Sequence, residues 1–160
     1  MPARPTKREL IEELITAFRA NGNQDVAFDS LAAGRLGVSR TDLHCLNAIE
    51  NGGGLTAGQL AREAGLTTGA VTGVIDRLER AGFARRVPDP GDRRRVKVEV
   101  TPEFYDRAAG IWGPLKADMD AALADKFTVA ELERIVEFLR VANQVGRRHL
   151  ERLDAPAERN

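Results

Sequence analysis

The stretch "LTTGAVTGVIDRLERAGFARRVPDPGDRRRVKVEV", residues 66–100, decides the fold. Its first half places Val71, Val74, Ile75 and Leu78 at helical spacing, so a helix over 68–81 carries one apolar stripe that must be buried. Thr67 stands where a helix cap belongs, and Gly82 where glycine commonly closes a helix. The second half changes period. "FARRVPD" and "RRVKVEV" alternate as strands do, with Val96, Val98 and Val100 sharing a face. Between them "PDPGD" is turn chemistry, in which proline sets φ and glycine accepts positive φ. The prediction is a helix leading into an arginine-rich β-hairpin.

Working upstream, Thr56 with Gln59 forms a capping-box start for a short helix ending near "EAG". Only "REAGLTT" separates it from the next helix, which is the spacing of a helix-turn-helix. Ser39 with Asp42 repeats the start signal for a helix that buries Leu43, Leu46 and Ile49 and stops at "NGGG". Before that lie two apolar stripes, Leu10, Ile11, Leu14, Ile15 and Phe18 over 7–20, then Phe28, Leu31 and Leu36 over about 26–36, with "NGNQ" expected to break the helix between them. Downstream, Thr101-Pro102-Glu103 opens a helix carrying Phe104, Ile111, Trp112, Leu115, Met119 and Leu123, which Pro114 is expected to bend. Thr128 and Glu131 open a last helix reaching about Leu153, and the tail "DAPAERN" is expected to fray. The terminal stripes need a cover, and a stripe at a chain end often meets a partner subunit.

The chain has 160 residues, 42% apolar and 30% charged, which describes a soluble globular protein and excludes a wholly disordered one. Its formal net charge is zero, yet between Arg77 and Lys97 stand eight basic and three acidic residues. A single cysteine, Cys45, excludes an internal disulfide and fits a reducing compartment. No apolar run approaches the roughly 18 residues of a membrane span, and the start lacks the apolar core of a signal peptide, so a cytoplasmic location is expected. No nucleophile–base arrangement, phosphate-binding glycine loop or paired-carboxylate motif stands out, so neither an enzyme nor a cofactor is expected. His44 and His149 show no ligand-spaced cluster for a metal.

Helices, helix-turn-helix, hairpin, then long helices is the order of a winged-helix domain with helical arms. The chain resembles the MarR (multiple antibiotic resistance regulator) family of bacterial transcription factors, most densely over 55–103, where "VIDRLERAGFARR" followed by "DPGDRR" is specific in combination. The resemblance implies a mainly α fold with a small β-hairpin wing (α+β), a winged helix-turn-helix with N- and C-terminal dimerisation helices. Within the single chain 1–160, residues 5–50 would be supporting and dimerising helices, 55–101 the DNA-binding lobe and 102–153 the C-terminal dimerisation helices. It further implies a homodimeric regulator, expected to be a repressor, that binds a pseudo-palindrome in double-stranded DNA. Small aromatic or phenolic effectors often control the family.

Candidate site residues follow from both readings. Gly69, Thr72, Gly73, Asp76 and Arg80 face away from the apolar stripe, and their N-terminal part is what a major groove would meet. Thr67, Thr68 and Thr72 can donate to phosphates or touch thymine methyls, and capping is the other role open to Thr67. Gly69 and Gly73 each cost about 1 kcal/mol of helix propensity, which reads either as close approach of backbone to DNA or as surface tolerance. The family often places a larger or charged side chain where Gly73 stands. Arg77 suits a phosphate contact, or an ion pair with an acid such as Glu63. Asp92-Arg93-Arg94 matches the family's acidic-x-arginine signature, which implies Arg94 in the minor groove with Asp92 holding it or bracing the wing; Arg93, Arg95 and Lys97 would contact phosphates or stay solvated. Phe28, His44 and Trp112 could line an effector pocket or simply be core. Cys45 reads as a structural thiol. The alternative function is a winged-helix dimer serving as a protein-interaction or small-molecule-binding module with weak DNA affinity; neutral charge and Gly73 favour it, and the cationic window opposes it.

Overall fold

A computed structural model describes residues 4–154, so the tail beyond Asp154 lies outside the described residues. The chain divides into two compact units, Met1–Trp112 and Gly113–Asn160. Helix α1 (Lys7–Leu36) starts at a capping box of Thr6 and Glu9 and ends at Gly37. It is continuous, which corrects the expected break at "NGNQ". No proline interrupts that segment, the cost of Gly22 is only about 1 kcal/mol, and the Asn21 amide donates to Asp25 one turn on at 3.0 Å. A helix already nucleated and capped at both ends absorbs that cost.

Helices α2 (Arg40–Asn51), α3 (Ala57–Glu63) and α4 (Thr68–Arg80) follow, starting at Ser39, Thr56 and Thr67 as their side chains foretold. Gly65, at φ +63°, makes the turn between α3 and α4, a conformation that would strain any residue with a Cβ. Gly82, at φ +77°, closes the other end of α4 and turns the chain into the hairpin. Thr101 pins that corner, its hydroxyl donating to the Gly82 carbonyl at 2.6 Å.

The hairpin comprises β2 (Ala84–Asp89) and β3 (Asp92–Val100), antiparallel with Arg86 opposite Val98. A strand that sequence periodicity missed, β1 (Leu55–Thr56), pairs with the other edge of β3, giving the sheet order β1-β3-β2. Two residues are too few to show any period. Gly91 is not among the positive-φ glycines, which corrects its expected part in the turn; instead the Asp89 carboxylate accepts from the Gly91 N–H at 2.9 Å. Val98 is buried and Val100 partly so, while Val96, farther towards the tip, is 53% exposed because the hairpin projects beyond the core there.

Leu43, Leu46, Ile49, Leu60, Val71, Ile75, Leu78 and Phe83 are essentially inaccessible and form the centre of the first unit. Each side chain buried to this degree stabilises the fold by roughly 1.5–3 kcal/mol. Phe104 closes the core from α5 (Pro102–Lys126), edge-on to Phe83 with centroids 5.8 Å apart. Helix α5 continues through Pro114. In the second unit, α6 (Val129–Asp154) begins at the Thr128–Glu131 capping box. Val136, Leu139, Val145 and Leu150 of α6 are exposed, as are Leu10, Ile11, Leu14, Ile15 and Phe18 of α1.

Candidate nucleic-acid interface

The α3–turn–α4 element presents one side of α4 to solvent because the opposite side supplies the core. Val71, Val74, Ile75 and Leu78 point inward. Thr67, Thr68, Gly69, Ala70, Thr72, Asp76 and Arg80 are exposed, and Gly73 is half-buried. Thr67 caps the helix by accepting from the Ala70 N–H at 3.3 Å, and the Thr72 hydroxyl donates to the Thr68 carbonyl at 3.1 Å. A Cβ at Gly69 would meet nothing within 4 Å, and one at Gly73 only the Arg77 guanidinium at 3.6 Å. Packing within the chain therefore demands glycine at neither position.

The charges around this helix are more paired than the sequence indicates. Arg77 reaches back to α2 and grips Asp42, with Nη2 to Oδ1 at 2.6 Å and Nε to both carboxylate oxygens at 3.2 and 3.3 Å. Its partner is thus Asp42 rather than Glu63. The Asp42 carboxylate is 3% exposed and also accepts from the Ser39 N–H at 3.1 Å. Burial alone would raise its pKa, but the hydrogen bonds from Arg77 and Ser39 outweigh it and hold Asp42 below the ordinary carboxylate value. On β2, Arg86 clasps two acids of α4, Asp76 at 2.7 Å and Glu79, while its backbone N–H donates to Glu79 at 2.9 Å. This clasp ties the base of the wing to the recognition helix. No sequence signal pointed to it, since Arg86 is one of eight basic residues in its window.

Arg85 pairs with Glu99 across the hairpin at 3.3 Å and Lys97 with Asp89 at 3.4 Å. Asp89 lies below its ordinary pKa, chiefly through the Gly91 N–H, with Lys97 helping against partial burial. Among the described residues neither Arg94 nor Arg95 is in ion-pair contact with a carboxylate, although the charge of Arg95 also acts on Asp89, and both are exposed. Asp92 accepts from the Arg94 backbone N–H at 3.0 Å, so it braces the turn rather than the guanidinium. Among the wing's described side chains, the cations without a carboxylate contact are therefore near its tip.

Of the expected effector residues, Phe28 and Trp112 meet edge-on with centroids 5.9 Å apart. Phe28 lines an open hollow of about 390 Å³ with Leu31, Ala32, Arg35 and Ile111. His44 does not join them; it is exposed and borders two other hollows, with Asn47 and Glu63 and with Val26 and Asp29. Cys45 is fully buried, and that burial, with the Asp42 charge adding and Arg77 opposing, pushes its thiol up to about 11. Among the described residues no three His, Cys, Asp or Glu side chains are grouped to hold a metal, and no helix is long and apolar enough to cross a membrane.

A tight helix pair followed by a three-stranded antiparallel wing with exposed arginines defines a winged helix-turn-helix protein. Residues 36–95 match the MarR family. The chain is 37% identical over 154 residues to the uncharacterized HTH-type transcriptional regulator YcgE of Bacillus subtilis, covering 96% of this chain and 99% of that one. It is 34% identical over 68 residues to the multiple antibiotic resistance protein MarR of Salmonella typhimurium, 42% of this chain and 47% of that one. Among solved structures, a MarR family protein from Bacillus stearothermophilus superposes with a TM-score of 0.65 at 19% identity, over 88% of this chain and 97% of that one. The chain belongs to the MarR family and is a transcriptional regulator of DNA-binding type, not an enzyme.

Proposed function

We propose that this regulator is a homodimeric, ligand-responsive repressor that binds a pseudo-palindromic operator in double-stranded DNA. The observation that carries the reading is the pairing of an uncovered recognition helix with a wing whose exposed Arg94 and Arg95 touch no carboxylate among the described residues, so that one lobe offers a groove-sized helix and an adjacent cationic finger. Thr67, Thr68, Gly69, Thr72 and Gly73 would face the major groove. Arg94 would enter the minor groove, where a narrow A·T-rich segment concentrates negative potential, and Arg93 and Arg95 would meet phosphates. Arg77 serves as the clamp on Asp42. The exposed apolar rows of α1 and α6 support dimerisation through residues 5–50 and 102–153, because rows of that length are seldom left in water. The hollow beside Phe28 supports an aromatic or phenolic effector. A cytoplasmic location follows from this role.

The test is retention of random duplex DNA by purified protein near physiological salt, followed by sequencing. An enriched inverted repeat with half-sites about ten base pairs apart is expected. Arg94→Ala should weaken binding to it more than about tenfold while sedimentation still reports a dimer; unchanged affinity would remove the wing from the mechanism.

A further inference from the structure

We infer that α4 reads its half-site through thymine methyl groups, with its arginines tied back into the protein and no charged side chain in the major groove. This rests on the operator-binding reading above and specifies the DNA chemistry it selects.

Guanine and adenine are read in the major groove chiefly by two hydrogen bonds from Arg, Lys, Asn or Gln. None of these residues occupies the exposed start of α4. The two arginines of the helix stand in its last turn, away from that start. Arg77 is bidentate on buried Asp42, and Arg80 donates through Nε to the Asp76 carbonyl of its own helix at 3.1 Å. Arg86, the next cation along the chain with a side chain near the helix, is held by Asp76 and Glu79. Gln59, the one amide of α3, accepts from both the N–H and the hydroxyl of Thr56 in a capping box.

What remains is small and largely apolar. The Thr67 hydroxyl accepts from Ala70 and the Thr72 hydroxyl donates to Thr68, and because a lone hydroxyl can bond any base, what Thr67, Thr68 and Thr72 add to discrimination is chiefly a methyl group. Ala70 adds another methyl. At Gly69 no atom of the chain lies where a Cβ would stand, so the helix backbone can approach a base edge at that point without rearrangement. The complementary feature of DNA is the C5-methyl of thymine, which A·T pairs carry and G·C pairs do not.

The experiment takes the full-length protein and the operator selected above, and replaces the half-site thymines with deoxyuridine, which keeps pairing and removes only the methyl. Each buried methyl contributes about fourfold in affinity. Two such replacements in each half-site remove four methyls, so with even half of them buried binding should weaken at least tenfold, whereas 7-deazaguanine at half-site guanines should change it less than twofold. Loss with 7-deazaguanine but not with deoxyuridine would mean reading by a hydrogen-bonding side chain; it would overturn the inference and leave operator binding intact. Insensitivity to both would also overturn it, placing discrimination in DNA shape. Failure to enrich any operator would remove the operator reading and this inference together. As a second arm, Gly69→Ala should raise the melting temperature yet bind the thymine operator at least tenfold more weakly; wild-type affinity in that variant would refute the close approach on which methyl contact depends.

Discussion

Replacing Asp42 with alanine probes the contact that joins α2 to the recognition helix. The substitution removes an acceptor of a bidentate arginine and the reciprocal half of the α2 capping box. A hydrogen bond to a charged group contributes about 1.5–3 kcal/mol, and a helix cap about 1 kcal/mol. The Arg77 side chain is 47% exposed, so once freed it rehydrates, and the loss stays below the 3–5 kcal/mol or so of a fully stranded buried charge. A total of about 2–3 kcal/mol follows, or roughly 5–10 °C in melting temperature for a chain of this size. The assay is urea unfolding followed by circular dichroism, at one fixed protein concentration because a dimer's stability depends on it. The folded-state pKa of Asp42 lies below the ordinary carboxylate value of 3.8, so its contribution is complete above that value and is lost as pH falls through the lowered one. The gap between parent and variant should thus be constant from about pH 5 to 8 and shrink below about pH 4. A loss under about 0.5 kcal/mol at pH 7, or a gap as wide at pH 2 as at pH 7, would refute the ion pair.

Three other outcomes are expected. Arg86→Ala releases the wing base from Asp76 and Glu79; these groups are partly exposed, so stability should fall by only about 1 kcal/mol, while operator affinity drops more than a matched exposed Arg85→Ala control. Cys45, buried and with its thiol raised to about 11, should resist iodoacetamide at pH 8 in the folded protein and react fully in denaturant; native labelling at the rate of free cysteine would contradict the packing. Gly22→Ala should stabilise α1 by about 0.5–1 kcal/mol, because a Cβ there meets nothing within 4 Å, whereas no gain in melting temperature would favour a break at that point.

Much of the candidate site was legible because its signals are local. Thr67 as a cap, Val71, Val74, Ile75 and Leu78 as the buried stripe, and the two long strands each declare themselves within a few residues. The exposure of the α4 start followed directly from that stripe. What escaped was set by pairs far apart in the chain. Arg77 and Asp42 are separated by 35 positions, and nothing near Arg77 distinguishes that partner from Glu63. The helix break at "NGNQ" failed for a related reason, since a local glycine penalty of about 1 kcal/mol is small beside the caps and length of a 30-residue helix.

By itself the sequence determined where α2, α3, α4 and α6 begin, which side of α4 is core, and that a basic hairpin follows it, because caps, stripes and strand alternation are interactions over one to four residues. Only the tertiary structure decided which of those cations remain unpaired. Arg77, Arg85, Arg86 and Lys97 find carboxylates brought into contact by folding, while among the described residues Arg94 and Arg95 touch none. Charge composition counts ions, but Coulombic attraction depends on their separation, and that separation exists only once α2, α4 and the sheet have packed on a common core.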